Sequence, residues 1–501
     1  MKLIDVVTTS RAVAATRSRL AKREAIASLL RSCPPPDIEL VVAYLAGALP
    51  QRRTGLGWRS LGDLPAPAAE STLEIAEVHT ELDRISGLAG EGSANARAEA
   101  AAALFARATP DEQTFLRSLI IGELRQGALD AVMLDAIADA SGVPAKSVRR
   151  AAMLAGATGP IAVAALAYGR EAVESFALTV GTPVRPMLAA SAPDVAAAFE
   201  KIGARAAIDV KFDGIRIQAH KRAGEVSLYT RSLDDITARL GSVAARITAL
   251  PYDSLILDGE VIAVDEAGQP RPFQETASRT ATHGETEVEV TLAPYFFDCL
   301  YLDEDLIDRP LSERMDILTD ALPAELLVSR LVTDDPAEAQ EFFDDAVAHG
   351  QEGVVVKALD APYEAGRRGA GWIKVKPRHT LDLVVLGVEW GSGRRQGWLS
   401  NIHLGARDPD GGFVMLGKTF KGMTDEMLTW QTERFLSLEE SRDRHVVYVR
   451  PEQVVEIAFD GLQRSTRYPG GLALRFARVL RYRDDKSADE ADTIERVREL
   501  G

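Results

Sequence analysis

The stretch Ala207-Ile208-Asp209-Val210-Lys211-Phe212-Asp213-Gly214-Ile215-Arg216 carries the densest chemistry in the chain. Apolar residues run into a lysine, a K-x-D-G-x-R pattern follows, and apolar alternation resumes at Ile215, Ile217 and Ala219. This reads as two strands joined by a short turn, with Gly214 supplying the tight backbone. Lys211 then stands at the mouth of a sheet, where a lysine amine serves as a nucleophile when nearby cations or loss of water favour its neutral form. Arg216 is close enough along the chain to contribute, and Asp213 can hold the ammonium or a metal. Taken alone, the pattern also fits a solvated surface hairpin.

Other stretches supply partners. Leu257-Asp258-Gly259-Glu260-Val261-Ile262 reads as a strand broken by Asp-Gly, with a carboxylate just beyond. Glu352-Gly353-Val354-Val355-Val356-Lys357 repeats the logic: a glutamate, a glycine, then an apolar strand closed by a lysine. Two glutamates at strand ends facing a lysine suit a hard divalent cation that also bridges phosphate oxygens. Trp372-Ile373-Lys374-Val375-Lys376 alternates so that both lysines share one face, suited to phosphate, although an edge strand with gatekeeper lysines has the same pattern.

One match is rejected. Gly412-Phe413-Val414-Met415-Leu416-Gly417-Lys418-Thr419 fits the phosphate-loop pattern G-x-x-x-x-G-K-T. A true phosphate loop follows a strand and opens directly into a helix. Here the interior is apolar, a hairpin turn (Asp408 to Gly412) precedes it, and the next helix starts later, capped by Thr424 with Asp425 and Glu426 in its first turn. The stretch reads as a strand. The seven histidines lack metal-ligand spacing; His220, His283 and His403 read as structural or surface groups.

At 501 residues the chain has room for several domains, and 46% hydrophobic with 26% charged residues is ordinary for a globular protein. No apolar run reaches membrane-span length and no secretory signal opens the chain, so no membrane partner and a cytoplasmic location are expected. Cys33 and Cys299 alone cannot build a disulfide framework or a four-cysteine zinc site. A net charge of -16 argues superficially against nucleic acid, but local distribution decides. Between Ala361 and Arg407 eight cations face three anions. A polyanion could dock there.

Three textures follow one another. Residues 1–175 are rich in Ala and Leu, with helical periodicity at Ser18–Leu30, Asp37–Ala48, Ala94–Ala106, Asp111–Gly122 and Leu129–Ala140, which predicts an all-α domain. Its Gly-containing breaks beside arginines, such as Gln51 to Gly57, could present N–H groups to phosphates. A Gly/Pro-rich passage at Val180–Met187 marks a linker or domain entrance. Residues 180–380 mix strands (Ala206–Val210, Ile215–His220, Val226–Tyr229, Ser254–Ile262, Tyr295–Tyr301, Gly353–Lys357) with helices (Asp234–Leu250, Leu311–Leu318, Pro336–His349), an α+β domain. Residues 381–501 show short, closely spaced strands (Leu383–Glu389, His403–Arg407, Phe413–Leu416, Val454–Phe459, Leu474–Arg483) and one helix, Thr424–Phe435. That predicts a small β-barrel, for which the OB-fold is the common nucleic-acid-handling example. Beyond Lys486 an acidic tail (Asp489, Glu490, Asp492) reads as a solvated helix.

With Lys211, Arg231, Glu260, Phe297, Glu352, Lys374 and Lys376 in this order, the chain resembles the lysine-dependent nucleotidyltransferases, and within them the ATP-dependent DNA ligases. Thr230-Arg231-Ser232 resembles the family's second motif and Phe296 to Leu300 its aromatic strand. Arg475-Phe476-Ala477-Arg478-Val479-Leu480-Arg481-Tyr482-Arg483-Asp484-Asp485-Lys486 resembles its last motif, carried on the OB domain. Phe115 to Gly127 resembles the helical DNA-binding domain of the archaeal and eukaryotic replicative type, here expected in a bacterial chain. The resemblance implies a multidomain fold: an all-α DNA-binding domain (1–175), an α+β adenylation (nucleotidyltransferase) domain (180–380) and an OB-fold β-barrel domain (381–501).

It also implies roles. Lys211 would be the adenylated lysine. Asp209 stands where the family often has a glutamate that reads the adenine amino group. Arg216 and Arg231 would hold ribose and phosphate, Glu260 ribose or metal, and Phe297 would stack on adenine. Glu352 would bind metal, Arg368 and Lys374 would face phosphates, and Lys376, Arg483 and Lys486 would contact pyrophosphate or the nucleotide. ATP is then the substrate, magnesium or manganese the metal, and nicked double-stranded DNA the partner, encircled by a monomer in replication, repair and recombination. RNA ligases and mRNA-capping guanylyltransferases share the lysine and glutamates, but the long helical first domain argues against both. A non-catalytic nucleic-acid binder with a degenerate core is the third reading, and the intact Lys211, Glu260, Glu352 and Lys374 argue against it.

Overall fold

The computed structural model describes the chain apart from residues 52, 125, 127–129, 267, 272–274, 277–290, 366–367 and 501, and apart from the side chains of 368–370. The expected His283 lies outside the described residues, as do parts of the Gln51–Gly57 break and of the Phe115–Gly127 stretch.

The N-terminal region is helical. Leu3–Ala15, Arg19–Arg31, Ile38–Leu45, Ile75–Ser86, Ser93–Ala106, Pro110–Ile120, Asp130–Ser141 and Ala145–Ala155 pack around one apolar core. Local chemistry sets the ends: Ser18 accepts from Ala21 N–H, and Thr109 with Glu112 forms a reciprocal capping box with Pro110 in the first turn.

The middle of the chain builds two sheets. The first contains β1 (Leu188–Ser191), β2 (Ala206–Lys211), β7 (Arg330–Thr333), β8 (Gly353–Ala358) and β9 (Arg368–Val375), in the order β1-β9-β8-β2-β7. The second is antiparallel and contains β3 (Ile215–Arg222), β4 (Glu225–Thr230), β5 (Ser254–Val264) and β6 (Thr291–Leu302), in the order β4-β3-β5-β6. The turn at Phe212–Gly214 is where the chain leaves one sheet for the other. Because β9 lies between β1 and β8, Lys374 is not on an edge strand.

Three expectations about the middle of the chain need correction. Asp258-Gly259 does not break β5: pairing with β3 runs straight through (Gln218↔Asp258, Ile217↔Gly259), and only the β6 side shifts register there. A Cβ on Gly259 would meet Phe296 Cδ1 at 2.6 Å, so the glycine lets β6 approach closely. Glu260 is therefore mid-strand, not at a strand end. The helix expected over Asp234–Leu250 is only Gly241–Thr248, preceded by a 3₁₀ turn at Thr237–Arg239, because Asp235 Oδ1 accepts from Thr237 N–H and holds a turn instead.

Residues 180–187 run along β3 as a strap. Alternate β3 side chains hold it: Arg216 Nη1 donates to Met187 O (2.6 Å), Gln218 bonds both Val184 N and Val184 O, and His220 Nδ1 accepts from Gly181 N–H (3.0 Å). The period-2 geometry of a strand puts these three on one face.

The C-terminal region is sheet-rich: β10 (His379–Trp390), β11 (Leu399–Arg407), β12 (Phe413–Thr419), β13 (Glu439–Arg442), β14 (Val446–Val449), β15 (Val454–Phe459), β16 (Gly461–Arg464), β17 (Leu472–Arg475) and β18 (Arg478–Tyr482). Long β10 pairs with β15 through its first half, with β14 through its second, and with β11 along the other edge. The phosphate-loop lookalike is strand β12, and the helix Asp425–Ser437 starts later, capped by Thr424. The single strand expected over Leu474–Arg483 is instead β17 and β18, interrupted where Phe476 adopts φ 54°. The acidic tail is a solvated helix only in part: Asp489 and Glu490 are exposed on a 3₁₀ turn (Ala488–Glu490), whereas Asp492 Oδ2 accepts from Asp382 N–H (2.7 Å). Arg407 N–H donates to Asp492 O, and Ile494 and Val497 of the helix Ile494–Arg498 are buried. Among the described residues, no helix is long and apolar enough to cross a membrane.

Candidate active site

Sheet pairing places the lysine and a glutamate together. Lys211 ends β2 opposite Gly353 at the start of β8, and Glu352 N–H donates to Lys211 O at 2.9 Å. The Lys211 ammonium pairs with Glu352 Oε2, and the Lys376 ammonium pairs with Oε1 of the same carboxylate. Gly353 (φ +135°) makes this possible, since a Cβ there would stand 2.2 Å from Val375 O. Burial works against the Lys376 ammonium, but Glu352 and Asp460 together raise its pKa.

Glu260 faces Arg216 across β5 and β3, and its Oε1 accepts from Gly214 N–H at 3.2 Å. Burial pushes its carboxyl up to about 7, against the pull of Lys211 and Arg216. Arg216 forms a bidentate pair with Asp258 (3.0 and 2.6 Å), whose side chain is fully buried. Burial disfavours this guanidinium, yet Asp258 raises its pKa. The charge is permanent.

Asp209 lies deeper, gripped by Arg330 (Nη2–Oδ2 2.7 Å) and by the buried Lys357 (Nζ–Oδ2 2.6 Å). Burial pushes this carboxyl up, but the two cations outweigh it and hold its pKa below the usual carboxylate value. Burial lowers the pKa of Lys357, with Asp209 opposing. Arg330 also donates to Phe297 O (2.9 Å), tying the first sheet to the second. Lys357 Nζ lies 4.5 Å from the Phe297 ring centre and 4.2 Å from that of Trp372, within cation–π range.

With Asp258 and Arg330 standing behind them, the other groups line one 1240 Å³ cavity between the sheets and the C-terminal region. Of the expected residues it gathers Asp209, Lys211, Arg216, Arg231, Glu260, Phe297, Glu352, Lys374 and Lys376. Arg368 starts β9, but its side chain lies outside the described residues. Arg483 and Lys486 are elsewhere. Both pair with Asp382 (3.0 and 2.6 Å) beside a separate 350 Å³ cavity that contains Trp430. The C-terminal region instead sends Lys421, Asp460, Arg475, Phe476 and Arg478 to the main cavity. Arg475 pairs with Asp213 of the K-x-D-G turn, and Asp460 with Lys376 (3.4 Å). Nine cationic side chains against five acidic ones line the cavity, so it favours an anion although the chain as a whole is acidic.

Motif reading missed Arg330, Lys357 and Tyr363, which hold the expected residues from behind. Lys357 had one signal, a lysine ending an apolar strand two residues beyond Val355. Of the histidines expected to be structural, His220 and His403 are buried, the latter hydrogen-bonded to Glu389 (3.1 Å).

The chain matches three family descriptions: "DNA ligase N terminus" over residues 59–138, "ATP dependent DNA ligase domain" over 186–376, and "ATP dependent DNA ligase C terminal region" over 395–486. It is 68% identical over its full length to a probable DNA ligase of Beutenbergia cavernae, covering 99% of that protein. A probable DNA ligase of Nocardioides sp. is 61% identical over 99% of this chain and 98% of its own. The solved structure titled Pmar-Lig_PreS3 shares the fold at 20% identity, with a TM-score of 0.63 over 95% of this chain and 99% of that one.

Proposed function

Because the chain belongs to the ATP-dependent DNA ligase family, we propose that Lys211 is the residue that carries AMP from ATP to DNA. The enzyme uses ATP to seal nicks in duplex DNA. The observation that supports this assignment is the meeting of Lys211, Glu260, Glu352, Lys374 and Lys376 in one cation-rich cavity.

In the first step the neutral amine of Lys211, its proton released to solvent, attacks the α-phosphorus of ATP through Nζ. The N–P bond forms as the bond to pyrophosphate breaks. Lys374, Lys376 and Arg231 face the phosphates, Arg216 holds the sugar, Phe297 stacks on adenine, and Asp209 accepts from its amino group. A 5′-phosphate oxygen of the nick then displaces Lys211 from AMP, and the 3′-hydroxyl displaces AMP in line. The protein contributes chiefly positioning and charge.

Glu260 and Glu352 fit magnesium or manganese in kind, since such ions take one or two carboxylates and complete their shell with water and phosphate oxygens. When bound, the metal supplies charge neutralisation at the leaving pyrophosphate. Arg483 and Lys486 are assigned to the nucleotide only in an arrangement that releases them from Asp382.

For the whole molecule we propose an all-α DNA-binding domain (1–175), an adenylation domain (180–380) and an OB-fold domain (381–501), closing as a monomer around the nicked duplex. Exposed Trp58 with Arg117 over its ring at 4.8 Å offers a backbone-facing contact on the helical region.

The test is incubation with α-labelled ATP or α-labelled GTP and magnesium, beside Lys211→Ala. Label from ATP that is absent in the variant and chases onto nicked DNA supports the assignment. Label retained by the variant moves the nucleophile elsewhere, and label from GTP alone points to capping chemistry.

A further inference from the structure

Tyr363 sits at the crossing of three elements that surround Arg216. It is 1% exposed, in the segment between β8 and β9, with its ring edge-to-face against Trp372 (6.0 Å). Its hydroxyl donates to Asp258 Oδ2 at 2.7 Å and accepts from Met187 N–H at 3.0 Å and Arg216 Nη2 at 3.3 Å. A phenol has one hydrogen to donate and two lone pairs to accept with. All three are used.

Arg216 is correspondingly committed. Nε and Nη2 donate to the two oxygens of Asp258, Nη2 donates again to Tyr363, and Nη1 donates to Met187 O. A guanidinium has five N–H donors, so this arrangement spends four and leaves one, on Nη1, for whatever enters the cavity. Such a group cannot fork around a phosphate. It makes one directed hydrogen bond, of the kind a sugar hydroxyl accepts.

Resting on the ligase reading above, we propose that Tyr363 is a positioning residue: its hydroxyl fixes Arg216 so that a single N–H is aimed at a sugar hydroxyl during nucleotide transfer. Tyr363 acts from behind Arg216, and the proton stays on its oxygen. Burial and the neighbouring Asp258 carboxylate both favour the neutral phenol, which alone can donate to Asp258 while accepting twice.

The experiment is a double-mutant cycle on the full chain, read as the single-turnover rate of Lys211 labelling by ATP. Tyr363→Phe is expected to slow labelling about tenfold or more, the usual result of leaving buried polar partners unpaired. Placed on Arg216→Met, the same change is expected to cost no further rate, because the group it positions is already gone. Equal losses in both backgrounds would mean a merely structural role and overturn the proposal, as would an undiminished rate in Tyr363→Phe. Should Tyr363→Phe not fold, 3,5-difluorotyrosine at 363 keeps the shape while weakening the accepted bonds. A smaller loss in the same direction is expected, and an unchanged rate overturns the proposal. Unlabelled wild-type chain would sink the ligase reading instead.

Discussion

Asp213 and Arg475, 262 residues apart in the chain, form an ion pair that joins the K-x-D-G turn to the end of β17. It fastens the C-terminal region over the cavity at the residue two beyond Lys211. Both side chains are partly exposed (32% and 24%), so the pair adds at most about 1 kcal/mol to stability. Its value is geometric. Arg475→Ala is expected to leave urea unfolding nearly unchanged while slowing nick sealing about tenfold through misplacement. The exchange Asp213→Arg with Arg475→Asp should recover part of that loss. A large stability change without a sealing defect would contradict this.

Arg330 links Asp209 to the backbone of Phe297. Removing one partner of a buried charge pair costs about 3–5 kcal/mol when the other is left uncompensated. Lys357 still pairs with Asp209 (2.6 Å), so Arg330→Met should destabilise the chain by less than that in urea unfolding and raise the ATP concentration needed for half-maximal labelling. Labelling at saturating ATP should suffer less. Unchanged ATP dependence would detach Arg330 from the base end of the cavity.

Gly353→Ala should be among the most damaging small changes. The added methyl meets Val375 O at 2.2 Å and the φ of +135° is one that side-chain-bearing residues avoid. Either β8 shifts, taking Glu352 off Lys211, or β9 does, taking Lys376 off Glu352. Labelling should be nearly lost in protein that remains folded by circular dichroism. Normal labelling would show that the Lys211–Glu352 contact is dispensable.

His220 gives a pH dependence of defined sign. Burial pushes its imidazole down to about 4, while in the unfolded chain it titrates near 6.5. Between these values the unfolded chain binds the proton and the folded chain does not, so stability is fully present above 6.5 and falls as pH drops toward 4. The difference amounts to roughly 3 kcal/mol. His220→Gln should flatten this part of the profile measured by urea unfolding. A profile identical to wild type would mean that another group titrates there.

Lys418→Ala should label with ATP like the wild type, because Lys418 belongs to strand β12 and pairs with Glu389. Loss of labelling in a folded variant would revive the phosphate-loop match that the hairpin excludes.

What could be read from the sequence, and what could not, follows from how local each signal is. Alternation around Lys211 and the turn residues at Gly214 are local, and β2, β3 and β15 come out close to their expected limits. Asp258-Gly259 misled because a buried aspartate inside a strand is tolerable only with Arg216 and Tyr363 beside it, and neither is near in sequence. The break at Phe476 depends on a backbone conformation that phenylalanine's own preferences do not announce. Arg330 carries no motif at all. Its importance appears only when β7 is seen to set Arg330 between the Asp209 carboxylate of β2 and the Phe297 carbonyl of β6.

The strap along β3 bears on where the nucleotide-handling unit can be cut. Gly181, Val184 and Met187 are stitched to His220, Gln218 and Arg216, and Tyr229 adds a hydrogen bond to Gly181 O (2.8 Å). A piece begun at Leu188, the first strand residue, sheds the carbonyl and amide that hold Arg216 and Tyr363, and takes from Gln218 and His220 their bonds to Val184 and Gly181. A piece begun before Gly181 keeps them. Swapping a different helical region onto this catalytic unit therefore succeeds only if the seam is placed upstream of the strap.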